Sequence, residues 1–229
     1  MKTKETSHLI DLTHTLTPAI AGYDPGPCFA LQTKCDYKDC TPPNVFRVQK
    51  IECMACAGTH MDAPSHAIEG GQTIEALDLK DLITNYVVIF NNTEPDENFQ
   101  FMPDSIIQFE KEHGTITPDT FVIFHSGWDR RWKTPEKYRN DLKFPSVHVD
   151  TAKLLMERNI SGIGIDTLSA DSGGVDFPVH RVILGAGKYL VENIANAKEL
   201  PPAGEKIMIM PMKIEGGTEA PIRLVALVS

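Results

Sequence analysis

Two runs, Asn85-Tyr86-Val87-Val88-Ile89-Phe90 and Phe121-Val122-Ile123-Phe124, are short and almost wholly apolar. Strands with one wet face alternate apolar and polar residues, and these do not, so they predict strands covered on both faces. Residues 160–165 read as another buried strand, and residues 8–12, the stretch around Tyr189-Leu190-Val191, 206–212 and 221–228 as further ones. Residues 45–53 alternate instead, with Phe46 and Val48 set against Arg47 and Gln49, and also predict a strand. Helical signals are fewer. Pro103-Asp104 opens a helix that runs through Glu112 and is closed by Gly114. Asp150 caps a second, with Ala152, Leu154, Leu155 and Met156 as apolar positions and Asn159 as its stop. A helix-like turn follows Pro178, while the Pro- and Gly-punctuated residues 17–44 read as a long loop of the lid or binding type. Strands outnumber helices without a clean alternation, and no repeat or linker divides the chain. The expectation is one α/β domain over residues 1–229, strand-rich with several short helices.

Length and charge narrow the partners. At 229 residues the chain can bury a large core. A net charge of −9 argues against nucleic acid, because phosphate binding needs clustered Lys and Arg. The longest basic stretch, Arg130-Arg131-Trp132-Lys133, makes only a small local patch. No run approaches the about 18 apolar residues of a membrane span, and Met1 to His8 shows no apolar signal region, so a cytoplasmic protein away from membranes is expected. The five cysteines, Cys28, Cys35, Cys40, Cys53 and Cys56, lie together near the start. An odd number without a signal fits reduced thiols, and their clustering leaves metal binding open.

The densest chemistry lies in Cys56-Ala57-Gly58-Thr59-His60-Met61-Asp62-Ala63-Pro64-Ser65-His66. His60 and Asp62 are two apart and face one side of an extended segment. Gly58 permits close backbone approach, and Pro64 stops regular pairing, so these side chains can project into a cleft. Thiolate, imidazole and carboxylate are the side chains zinc prefers, and three of them plus a water make a catalytic site. A bound divalent cation lowers the pKa of its water from 15.7 to about 7. His66, of a type that titrates near neutral pH, is the candidate proton donor or acceptor. The same residues could also form an ordinary satisfied polar network.

This segment resembles the His-x-Gly-Thr-His-x-Asp-x-Pro-x-His signature of the metal-dependent cyclase-like hydrolases, the family of bacterial kynurenine formamidase and isatin hydrolase. Ile163-Gly164-Ile165-Asp166-Thr167, Pro178-Val179-His180-Arg181, Val191-Glu192-Asn193-Ile194-Ala195-Asn196 and Ala220-Pro221-Ile222-Arg223 resemble its later motifs in the same order. The resemblance implies a swivelling β/β/α fold, homodimers or homotetramers, and one or two zinc ions per chain with manganese as an alternative. It implies a first metal among Cys56, His60 and Asp62, and a second at His180 and Glu192 bridged by Asp62. His66 becomes the catalytic acid/base, with Glu192 beside it in the catalytic centre. Cys56 stands where the family has histidine. Its bond to zinc is only slightly longer, about 2.3 Å against about 2.0–2.1 Å, and a thiolate shifts preference from manganese toward zinc.

The resemblance implies hydrolysis of an amide by metal-bound hydroxide. An aryl formamide such as N-formylkynurenine, an intermediate of tryptophan catabolism, is the first substrate. A cyclic amide or lactone of the isatin type is the alternative. A reading of another class, motivated by Cys56 and nearby Cys53, is a non-catalytic small-molecule or thiol–metal binding protein. Tyr23, Phe46 and Trp128 are candidates to line an aromatic-substrate pocket, against core or lid packing for each. His14 and His125 read as structural, His8, His113 and His148 as solvated. Asp166 reads as ordering its neighbouring loop, and Arg223 as a carboxylate partner or one half of an ion pair.

Overall fold

The computed structural model describes residues 8–173 and 176–228. In chain order its strands are β1 (His8–Asp11), β2 (Phe29–Cys35), β3 (Val48–Cys53), β4 (His60–Asp62), β5 (Ile83–Phe90), β6 (Gln100–Phe101), β7 (Phe121–His125), β8 (Ser146–Val147), β9 (Gly162–Ile165), β10 (Tyr189–Glu192), β11 (Ala203–Pro211) and β12 (Glu219–Val228). The α-helices are α1 (Leu79–Leu82), α2 (Pro103–His113), α3 (Pro135–Arg139), α4 (Val149–Glu157) and α5 (Pro178–Gly185).

Seven strands close into a mixed barrel in the order β12-β11-β5-β7-β9-β10-β4 and back to β12. β5, β7, β9 and β10 run parallel, and the other contacts are antiparallel. β12 closes the ring because it is long. Its Glu219, Ala220 and Pro221 pair with β4, while Val225 to Val228 carry β1 as an added strand.

The wholly apolar runs are strands covered on both faces, as their pattern predicts. Phe121 and Ile123 join Tyr86, Val88, Tyr189, Val191, Ile207 and Leu224 in one core, and Val122 and Phe124 face the other way. That second face is covered by α2, α4 and α5 through Ile106, Phe109, Ala152, Leu155, Val179 and Ile183. Full burial of each such side chain contributes ~1.5–3 kcal/mol, so these two layers dominate the favourable side of folding. β9 reaches the first core with glycines because its neighbours are large. A Cβ on Gly164 would stand 2.5 Å from Ile194 Cδ1 and 2.8 Å from Phe121 Cζ. Gly164→Ala is therefore expected to cost about 1–3 kcal/mol through overpacking, read as a lower urea midpoint with an unchanged slope.

Helix α2 follows its predicted signals, with Pro103 in its first turn and Gly114 at its end with φ 93°. Helix α4 begins earlier than the sequence implies. His148 is its N-cap, its Nδ1 accepting from Asp150 N at 3.2 Å, and Asp150 pairs with Lys153 instead. The largest departure lies in residues 17–44, which are not loop throughout: β2 forms there and pairs with β3 alone. Beyond Phe29, which packs with Ile20, Cys28 and Ala57, the described residues leave this arm largely uncovered. All six residues of β3 are exposed, so the alternation in residues 45–53 does not mark a buried face. Leu31, Phe46, Ile51 and Met54 stand open to solvent. All five cysteines are free thiols, and no helix is long and apolar enough to cross a membrane among the described residues.

Candidate metal centre

β4 is three residues long, and its register with two neighbours assembles most of the donors. Met61 belongs to the barrel core, so His60 and Asp62 share the opposite face. β10 sets Glu192 opposite His60, and β12 sets Glu219 opposite Asp62. His180 enters from the first turn of α5, which Pro178 starts, and His66 from a 3-10 turn at Pro64–His66. Gly58, just ahead of β4, has φ +66°, and a Cβ there would meet Leu16 Cδ2 at 2.5 Å. Only glycine satisfies both conditions.

His60 Nε2 lies 3.5 Å from Asp62 Oδ1 and 3.5 Å from Glu192 Oε2. His180 Nε2 lies 3.5 Å from Asp62 Oδ2 and 3.5 Å from Glu192 Oε1. All four side chains are buried, and Asp62 Oδ1 has no hydrogen-bond partner. Imidazole nitrogens and carboxylates facing one another at this spacing, around an orphaned buried oxygen, fit a divalent cation. The far sides of the rings are tied down. His60 Nδ1 donates to Gly58 O at 2.9 Å, and His180 Nδ1 donates to Asp171 Oδ2 at 2.7 Å. Asp171 in turn accepts from Val179 N and His180 N. Each ring thus keeps Nε2 for the cleft, as metal-binding histidines do.

Surplus negative charge marks the site. Burial, reinforced by Asp62, pushes the Glu192 carboxyl up to about 7. Burial, reinforced by Glu219, pushes the Cys56 thiol up to about 12. Burial pulls the His180 imidazolium down, but Asp171, Asp62 and Glu192 outweigh it and hold it at about 10. A bound cation reverses this local logic, favouring ionised carboxylates and neutral imidazoles.

The cleft has a volume of about 250 Å³. Tyr23, Met54, Leu168 and Phe177 form its apolar wall, and no Lys or Arg lines it among the described residues. His66 stands at the mouth with its side chain 34% exposed, accessible enough to exchange protons, and Nδ1 is 3.5 Å from Glu219 Oε2. Two donor groups close within 4.8 Å here, Asp62–His66–His180 and His60–Asp62–Glu219. Cys56 lines the cleft, but its Sγ belongs to neither group.

The structure thus gathers His60, Asp62, His66, His180 and Glu192, with Tyr23 on the wall. It does not bring Phe46 or Trp128 to the cleft. Phe46 is exposed in the connection from β2 to β3, at the end of the arm away from the buried Phe29. Trp128 has no exposed surface; its Nε1 donates to Tyr138 O at 2.8 Å, and it packs with Phe144 and with Leu168, a wall residue. Its place is behind the wall, because Asp166 folds its turn inward. Asp166 accepts from Ser126 N, Ser126 Oγ, Gly127 N and Trp128 N, and so orders this loop. His125 sits beside Asp166 and Asp129, outside the cleft, and His14 stacks on Trp132. Arg223 forms a two-toothed ion pair with Asp11. Glu219, Asp171 and Phe177 were missed from the sequence. Glu219 adjoins the Ala220-Pro221 motif, a usable signal, whereas no spacing marks the other two.

A family described as "Putative cyclase" matches residues 10–172 of the chain. The chain belongs to that family. Among its relatives, isatin hydrolase of Roseibium aggregatum is 31% identical over 188 residues, 75% of this chain and 71% of the relative. Kynurenine formamidase of Salinibacter ruber is 27% identical over 219 residues, 95% of this chain and 96% of the relative. The fold agrees with solved members. Isatin hydrolase A of Labrenzia aggregata, bound to benzyl benzoate, superimposes with a TM-score of 0.85 at 30% identity, covering 97% of this chain and 94% of that one. Isatin hydrolase A of Ralstonia solanacearum gives 0.88 at 27% identity, covering 97% and 92%. The family resemblance read from the motifs therefore holds, and so does the α/β fold it implied.

Proposed function

We propose that this cyclase-family chain is a metal-dependent hydrolase that cleaves an amide C–N bond carried by an aromatic ring. The observation that carries the reading is the convergence of His60, Asp62, His180 and Glu192 around a buried, unpartnered carboxylate oxygen, with His66 at the open side. These four side chains would hold zinc, one or two ions per chain, or manganese. A bound divalent cation supplies Lewis acidity toward the carbonyl oxygen and makes water acidic near neutral pH. The chain's own residues do the rest. Tyr23 and Phe177 offer ring faces to the aromatic part, with Leu168 and Met54 beside them. His66 holds the proton that the leaving nitrogen needs, and Glu219 orients its ring.

The formamide and the lactam share an N-aryl amide, so one cleft serves either chemistry. An aryl formamide such as N-formylkynurenine is the first substrate, supported by the His180–Glu192 pair. A cyclic amide of the isatin type is the second reading, favoured by the likeness to isatin hydrolases. One catalytic domain working in the cytoplasm is the matching expectation, and the five free thiols support it because that compartment keeps thiols reduced. Homodimers or homotetramers are supported by the uncovered apolar arm of Leu31, Phe46 and Ile51.

Elemental mass spectrometry on protein purified without added metal tests the reading, with Cys56→His alongside. Zinc or manganese near one or two per chain in the wild type is expected, followed by turnover in a panel of aryl formamides and lactams. A metal-free wild type beside a loaded Cys56→His variant would transfer the case to a non-catalytic binder.

A further inference from the structure

We propose that Glu219, and not Cys56, completes the first metal subsite with His60 and Asp62. This rests on the metal-hydrolase reading and concerns which side chain of this chain replaces the donor that the family signature supplies as histidine.

Three observations carry it. First, one ligand atom each from His60, Asp62 and Glu219 lies within 4.8 Å of the others, and among the described residues no such group contains Cys56 Sγ. Glu192 is outside these groups too but meets both His60 Nε2 and His180 Nε2 at 3.5 Å. Second, the placement of Glu219 is built rather than incidental. β12 pairs antiparallel with β4 so that Glu219 sits opposite Asp62, and Ala63 N donates to Thr218 O at 2.9 Å to lock that register. Ala220 belongs to the barrel core, so Glu219 shares the donor face, with its side chain only 18% exposed. Cys56 comes instead from the turn ahead of Gly58, outside any strand. Third, Asp62, Glu192 and Glu219 bring three carboxylates into one cleft that no Lys or Arg lines among the described residues, and Asp62 Oδ1 is buried without a partner. Three carboxylates crowded against only two buried imidazoles are costly, and a cation held between them removes that cost.

The assignment changes the chemistry of the site. Imidazole with carboxylates is a harder donor set than one containing thiolate, so it keeps manganese usable where a thiolate would select zinc. It also gives Glu219 two tasks, since its Oε2 is already 3.5 Å from His66 Nδ1. One carboxylate would then link the metal subsite to the acid/base residue.

Cobalt(II) reports the donor directly, because thiolate ligation gives an intense near-ultraviolet charge-transfer band that imidazole and carboxylate do not. Metal-free full-length protein is titrated with Co²⁺ and followed by absorption, with affinity measured by competition against a chelator. The wild type is expected to show cobalt ligand-field bands without the thiolate band, and Cys56→Ser to titrate as the wild type does. Glu219→Gln is expected to weaken binding more than about 100-fold, beyond the range typical of outer-sphere partners. In the Cys56→Ser background, Glu219→Cys is expected to create the thiolate band, with Cys56→Ser alone as the control for cobalt held by the other four free thiols and circular dichroism as the check on folding. A thiolate band in the wild type that Cys56→Ser abolishes would overturn the proposal and leave the metal-hydrolase reading standing. So would wild-type affinity in Glu219→Gln, or no band in the Glu219→Cys protein that still binds cobalt. Failure of the wild type to take up cobalt at all would sink the metal reading itself, and the proposal with it.

Discussion

Replacing His66 by alanine is expected to lower turnover about 10²–10⁴-fold, the range for a lost general acid or base, with metal content unchanged. Geometry sets this expectation. His66 stands at the mouth of the cleft on the turn that Pro64 starts, close to the donors yet the least buried of the five clustered residues. Its Nδ1 lies 3.5 Å from Glu219 Oε2. The leaving nitrogen of an amide departs well only when it gains a proton, so losing the carrier should appear in kcat more than in KM. Steady-state kinetics on an aryl formamide and a lactam, with elemental analysis of the same preparations, measures both quantities. Near-normal turnover would remove His66 from the mechanism. Joint loss of turnover and metal would instead make His66 a ligand in its group with Asp62 and His180.

Asp166→Ala is expected to cost about 3–5 kcal/mol of stability, the scale for breaking a buried charged network by removing one partner. Asp166 is fully buried on the loop after β9 and accepts four hydrogen bonds from Ser126, Gly127 and Trp128. Without it, Ser126 N and Gly127 N lose their acceptor, each costing about 1–3 kcal/mol before relaxation, while Trp128 N keeps Ser126 Oγ at 3.2 Å. Relaxation would free Trp128, which packs with the cleft-wall residue Leu168, so substrate affinity should weaken along with stability. Urea unfolding and KM on the same variant test both effects. A stability loss below about 1 kcal/mol would mean that water replaces the carboxylate at little cost.

The buried strands were largely legible in the sequence, because strands covered on both faces leave continuous apolar runs and those at residues 85–90 and 121–124 are clear, whereas their closure into a barrel through β12 and β4 was not. The β2–β3 arm was not legible in the same way. β2 carries Gln32, Thr33 and Lys34 beside Leu31 and lies in a Pro- and Gly-rich stretch, so nothing local separates strand from loop. Its partner β3 alternates like a half-buried strand yet packs against nothing, because the barrel closes without it. Alternation records compatibility with a covered face and does not supply the cover.

At the site, the sequence by itself singled out His60, Asp62 and His66, which the structure brings to one cleft. Their chemistry depends on spacing within one short segment, and two residues apart on an extended chain means one face. The motif resemblance added His180 and Glu192, which no local spacing joins to that segment. Only the tertiary structure decided the rest. Glu219 reaches the cleft through the register of β12 on β4, and Asp171 fixes His180 across a turn. Trp128 was withdrawn from the cleft by the hydrogen bonds of Asp166, and Cys56 was left outside the converging donors. The physical reason is common to all four. Donor convergence within a few ångströms depends on strand pairing and loop anchoring between segments distant in sequence, and a linear pattern carries no information about that register.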